Sequence, residues 1–157
     1  MIESIRIPKE RVGVLKDPKV KKEIKEKLNT KISFEENSVL IEGEGLEAYQ
    51  AKNIVKAIGR GFAPVRAFRL FNDEEVMEII ELQYGDKKNE RVKSRVIGSK
   101  GRMREEIELN SKASISVYGK TICIIGTYQQ IKSAKEAIEM LIKGAEHKTV
   151  YNFLQRL

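Results

Sequence analysis

The chain has one cysteine, one histidine and no tryptophan in 157 residues. A single cysteine excludes an intramolecular disulfide, and His147 has no second His or Cys with which to share a metal. Cys123 lies in Thr121-Ile-Cys-Ile-Ile, a setting in which a free cysteine acts as a small buried hydrophobe rather than as a nucleophile. No apolar run approaches the ~20 residues of a membrane-spanning helix. The N-terminus shows no signal-peptide pattern, so a soluble cytoplasmic protein is expected. Paired carboxylates, a P-loop and a Cys/His set at usable spacing are all missing, so neither an enzyme nor a bound cofactor is expected.

What is present in excess is positive charge. Thirty Lys and Arg stand against 23 Asp and Glu, a formal charge of +7, with a pI near 9.4. Such a balance favours an anionic partner. The charge is concentrated in Lys87–Arg104, KKNERVKSRVIGSKGRMR, where eight Lys or Arg face one acid, Glu90. Inside this stretch lies Gly98-Ser99-Lys100-Gly101. Two glycines three apart allow close backbone approach to a ligand and positive φ. The residues that follow are good helix formers, so the loop opens a helix whose N–H groups and dipole favour phosphate. A G-x-x-G alone is expected about once by chance in a chain with ordinary glycine content. The apolar Val96-Ile97 before it, the helix after it and the cationic field raise its weight.

Along the chain, Met1–Lys9 reads as a strand and Glu10–Leu15 as a short helix. Lys19–Leu28 is helical, with Val20, Ile24 and Leu28 on one face. Lys31–Glu35 and Ser38–Glu42 form a hairpin, and Leu46–Ile58 a helix. Gly59-Arg-Gly-Phe-Ala-Pro64 begins a linker, with Val65–Phe71 a short helix. The second half repeats the first. VLIEG ending at Gly43 matches ICIIG ending at Gly126, and Ala51-Lys52 matches Ala134-Lys135, both at an offset of 83. Leu28-Asn29-Thr30-Lys31 also matches Leu109-Asn110-Ser111-Lys112. This repeat requires a strand at Val76–Leu82. It then predicts helices at Asn89–Ile97, Arg102–Leu109 and Tyr128–Lys143, with strands at Ala113–Tyr118 and Thr121–Ile125. Each half is then an α+β layer, a three-stranded sheet covered by three helices.

Val96-Ile-Gly-x-x-Gly101 with Ile107, a strand hairpin and a long helix resembles the KH RNA-binding domain in its eukaryotic (type I) form. Arg95–Arg102, Ile115-Ser-Val-Tyr-Gly-Lys-Thr, Ile124-Ile-Gly, the Gly59–Pro64 segment and the tail His147-Lys-Thr-Val-Tyr-Asn-Phe-Leu are similar to the archaeal and eukaryotic partner-of-Nob family. The resemblance implies two tandem type I KH domains: a first at 1–60, a linker at 61–72 and a second at 73–157. It implies a ribosome-assembly role, in which the second domain holds single-stranded RNA near the 3′ end of small-subunit rRNA. It also implies two partners, the Nob-family endonuclease and the alpha subunit of translation initiation factor two.

In such a domain Gly98, Ser99, Lys100 and Gly101 clamp the backbone of about four nucleotides. Ile97 and Ile107 form an apolar floor for bases. Arg91, Arg95, Arg102 and Arg104 supply phosphate charge and stacking faces. By resemblance, Ser114 and Ser116 stand on the strand whose edge reads bases. The first half departs from the pattern at Leu15-Lys-Asp-Pro-Lys19. It has no glycine, Pro18 lacks an N–H, and Asp17 puts a negative charge where phosphate would sit. A scaffold or protein-docking role is expected there. Tyr151, Phe153 and Leu154 are expected to pack on a domain surface, and Phe62 and Phe68 to serve an inter-domain core. Two other readings remain open: a KH-type regulator of mRNA or translation, and a protein-docking adaptor.

Overall fold

A computed structural model describes all of residues 1–157, which divide into two compact units, Met1–Asp73 and Glu74–Leu157.

In the first unit the order is β1 (Ile2–Ile5), α1 (Lys9–Leu15), α2 (Pro18–Leu28), β2 (Lys31–Glu35), β3 (Ser38–Glu42), α3 (Gly45–Gly59) and α4 (Pro64–Ala67), followed by a 3-10 turn, Phe68–Phe71. The first strand is shorter than the pattern suggested, because Pro8, which cannot donate to a ladder, instead stands at the N-cap of α1. Helix α2 begins where Asp17 accepts a hydrogen bond from the Lys19 amide at 3.0 Å and Pro18 takes the first helical position. It ends at Asn29 in the left-handed conformation. Val20, Ile24 and Leu28, spaced four apart, are buried with Ile32, Val39 and Ile41 of the sheet and Ile54, Val55 and Ile58 of α3. Arg11 fixes the exit of α3 by donating from Nε to the Ile58 carbonyl and from a terminal nitrogen to the Phe62 carbonyl, each at 2.8 Å.

Residues 61–72, expected as a linker, therefore belong to the first unit. Phe62 is 1% exposed, Phe68 stacks on Phe71 at 5.0 Å, and Gln50 of α3 donates to the Phe71 carbonyl at 3.2 Å. A Gly/Pro-rich composition marks a break in regular structure, which here is a turn within a packed unit.

The second unit runs β4 (Val76–Glu81), α5 (Asp86–Ile97), α6 (Arg102–Ser111), β5 (Ser114–Tyr118), β6 (Thr121–Gly126), α7 (Tyr128–Ile142) and α8 (His147–Gln155). The VMEIIE segment, where the repeat requires a strand, is one, paired antiparallel to β6. Both sheets are antiparallel with the middle strand last in sequence, β1-β3-β2 and β4-β6-β5. Ile115, Ile122 and Ile124 turn to the helices, where they meet Val92, Val96, Met103, Ile107 and Ile138. Helix α7 opens on a capping box of Thr127 and Gln130. Helix α8 buries Val150 and Leu154 in the same core with Tyr151 and Phe153 against it, the packing that an apolar tail requires.

The internal repeat holds at one offset only. Caps Asn29 and Lys112, strand starts Lys31 and Ser114, Ser38 and Thr121, and helix starts Gly45 and Tyr128 are each 83 residues apart. The Leu28–Lys31 match to Leu109–Lys112 is thus two residues out of register. The residue at 28 equivalent to Ser111 is a core leucine, and the likeness of the two strings comes from helix-end composition.

Candidate nucleic-acid interface

Helices α5 and α6 are separated by Gly98–Gly101. Gly98 has φ 75°, ψ 175° and Gly101 φ 76°, ψ 10°. Lys100, with φ 56°, also takes the left-handed region, which is uncommon for a residue with a side chain. The turn closes with the Gly98 carbonyl accepting from the Gly101 amide at 3.1 Å. This backbone lifts Ser99 and Lys100 to the surface, where both are exposed. Helix α6 then starts with no side-chain cap, whereas α2 has Asp17 and α7 has Thr127. Its first turn thus presents positive dipole density beside an exposed ammonium, the arrangement that receives a phosphate.

The basic residues around the loop have unequal roles. Arg91 and Arg102 are exposed, and Ile97 is half-buried beside the loop. Arg104 is half-buried, and its Nε is buried without a hydrogen-bond partner. Arg95 departs furthest from expectation. Its guanidinium donates to the Leu141 carbonyl at 2.7 Å and to the Ala145 carbonyl, so it ties α5 to the end of α7 and does not project toward the loop. Lys93 pairs with Glu90 at 3.4 Å, and Lys88 lies over the exposed Tyr84 ring at 4.2 Å.

One expected base contact is also reassigned. Ile107 is fully buried and belongs to the core, because the i, i+4 spacing from Met103 puts both on the inner side of α6. It cannot form a floor for bases. Ser114 and Ser116 are only 8% and 7% exposed. They occupy the sheet face opposite Ile115. The outer edge of β5 shows itself at Ile115, whose amide donates to a Glu108 carboxylate oxygen at 2.7 Å. Ile107→Val should therefore cost about 1 kcal/mol of stability through a small cavity, readable in denaturant melts, and leave affinity for RNA unchanged.

One contact without a sequence signal of its own is Asn89. It is 6% exposed, donates to the Leu82 carbonyl and accepts from the Tyr84 amide, each at 3.1 Å, and so sets the turn from β4 into α5.

Residues 73–157 match the family model of the second KH domain of Pno1, described as a eukaryotic-type KH domain (KH-domain type I). A KH domain-containing protein of Methanocaldococcus jannaschii is 43% identical over 166 residues, covering 99% of this chain and 73% of that protein. The pre-rRNA-processing protein pno1 of Emericella nidulans is 36% identical over 63 residues, covering 40% of this chain and 24% of that one. Among solved structures, aDim2p in a complex of a/eIF2alpha, aDim2p and rRNA from Pyrococcus horikoshii superposes with a TM-score of 0.88 at 44% identity, covering 99% of this chain and 93% of that one. With a type I KH unit built around an exposed glycine loop, and relatives matching along nearly its whole length, the chain belongs to the Pno1/Dim2 family of KH-domain proteins.

Proposed function

We propose that the protein is an RNA-binding ribosome-assembly factor whose second KH domain holds single-stranded RNA near the 3′ end of small-subunit rRNA during maturation. The observation that carries this reading is the Gly98–Gly101 loop, an exposed cationic tip over the uncapped start of α6. Gly98, Ser99, Lys100 and Gly101 grip the strand, Arg91 and Arg102 meet adjacent phosphates, and Ile97 lies under the first base. Arg95 supports the domain from within, and Ser114 and Ser116 stand on β5, the edge strand beside which bases would lie. Relatives named for pre-rRNA processing, and one solved with rRNA and a/eIF2alpha, support both the RNA class and the alpha subunit of the initiation factor as a partner. The Nob-family endonuclease is the partner that would cut the strand so held. The protein itself serves as a non-catalytic clamp in the cytoplasm. The first unit has the same element order and strand order as the second, which supports reading it as another KH fold with a closed loop.

Fluorescence anisotropy tests this directly, with a strand copying the 3′ end of small-subunit rRNA against a scrambled strand of equal length. Wild type should prefer the rRNA strand, with a log–log salt slope of about −0.7 per phosphate contact. Ser99→Asp/Lys100→Asp should retain its circular dichroism and lose at least about tenfold in affinity, as charge-assisted bonds to phosphate are lost. Equal binding of both strands, undisturbed by the variant, would reduce the basic stretch to a nonspecific surface. Equal binding of an mRNA-like strand with full dependence on the loop would favour a messenger target.

A further inference from the structure

The first unit carries an aromatic and cationic cluster at the place where the second has its glycine loop. Helices α1 and α2 are joined by Lys16 and Asp17 alone. The edge strand β2 holds the same position in β1-β3-β2 as β5 does in β4-β6-β5. Phe34 on β2 shares the helix-covered sheet face with buried Ile32, two residues before it. Unlike Ile32, Phe34 is only half-buried. The Lys16 ammonium stands 5.6 Å and the Lys21 ammonium 5.7 Å from the centre of its ring, within cation–π range.

Neither ammonium is neutralised. The acids of α2 pair elsewhere, Glu23 with Lys27 and Glu26 with Lys22, and Asp17 caps the helix by accepting from the Lys19 amide. Lys16 and Lys21 have no acidic partner. The two ammoniums lie over the half-buried ring on flexible stems; a base taking the ring displaces them to the adjoining phosphates, the combination of stacking face and cations that single-strand binders use. The closed turn removes backbone gripping and leaves stacking available.

We propose that Phe34, Lys16 and Lys21 form a second single-stranded RNA contact on the first unit, independent of the Gly98–Gly101 loop. One base stacks on Phe34, and Lys16 and Lys21 neutralise the phosphates on either side. The inference takes from the proposed function only that the ligand is single-stranded RNA.

The full chain carrying Ser99→Asp/Lys100→Asp isolates this contact from the loop. A fluorescein-labelled 12-residue oligouridylate should still bind it. Adding Phe34→Leu should weaken that binding about tenfold, the usual scale of losing one stacked base, while Phe34→Tyr keeps it. Adding Lys16→Gln/Lys21→Gln should reduce the salt slope by about 1.4, for two phosphate contacts. Should Phe34→Leu disturb the fold, 5-iodouridine crosslinking of the unmodified chain reads the same contact, with Phe34 expected among the labelled residues. No binding by the loop variant, binding indifferent to Phe34, or crosslinks confined to the second unit would each overturn the proposal. So would displacement of the strand by a polyglutamate peptide whose own affinity depends on Phe34 more than that of RNA does, which would mark a docking site for acidic protein. Failure of the loop reading shows separately, as equal rRNA binding by wild type and the loop variant.

Discussion

Gly98→Ala should destabilise the protein by about 3 kcal/mol, and Gly101→Ala by only about 1 kcal/mol, although the two glycines occupy matching ends of one motif. Gly98 has φ 75° and ψ 175°, a region that residues with a Cβ essentially do not enter, and strain there costs about 1–3 kcal/mol. A Cβ at Gly98 would also lie 2.7 Å from the Met103 Cβ and 2.8 Å from its amide nitrogen. Met103 is fully buried, so relief requires moving the first turn of α6 against the core. Gly101, at φ 76°, would place a Cβ with nothing within 4 Å. It meets only the left-handed penalty of about 1–2 kcal/mol. In a unit of this size 3 kcal/mol corresponds to a fall in Tm of about 15 °C. Thermal melts of the two variants should differ clearly, while both lose RNA affinity. Equal Tm shifts would mean that the loop does not hold this backbone.

Arg95→Ala should cost about 2 kcal/mol and should do so without touching the RNA contact. The guanidinium satisfies the Leu141 and Ala145 carbonyls at the end of α7 and the link to α8. Losing it takes a donor from the Ala145 carbonyl, while the Leu141 carbonyl keeps the Gly144 amide at 3.1 Å, and removes a cation from a helix C-terminus where the dipole favours one. Hydrogen exchange should accelerate first in α8, which follows Ala145 directly. Arg95→Lys should restore only part of the loss, because an ammonium lacks the fork that reaches both carbonyls. Below the melting transition the salt slope of RNA binding should match that of wild type. A slope reduced by ~0.7 would mark Arg95 as a phosphate contact after all.

The periodicities that define strands and helices were readable in order, since alternation and i, i+4 spacing are local properties of the string. So were the glycine loop, its cationic field and the absence of a glycine between α1 and α2. The differences at Pro8 and at residues 59–64 come from local chemistry that overrides composition. Pro8 caps a helix instead of extending a strand. The Gly59–Pro64 segment turns the chain back within the first unit, where Arg11 holds it.

The sequence by itself determined the order of elements, the location of the loop and the sign of the partner's charge, because each depends on neighbours within a few residues. Only the tertiary structure decided which side chains of the basic stretch are free. Arg91, Arg95, Arg102 and Arg104 look alike in a string, yet Arg95 finds its acceptors 46 and 50 residues away. Ile107 is withdrawn into the core in the same way, and Phe34 meets Lys16 and Lys21 only once the sheet and helices have packed. Charge and apolarity are properties of a residue. Whether they face solvent or the chain itself depends on contacts between segments distant in sequence, which the folded structure alone brings together.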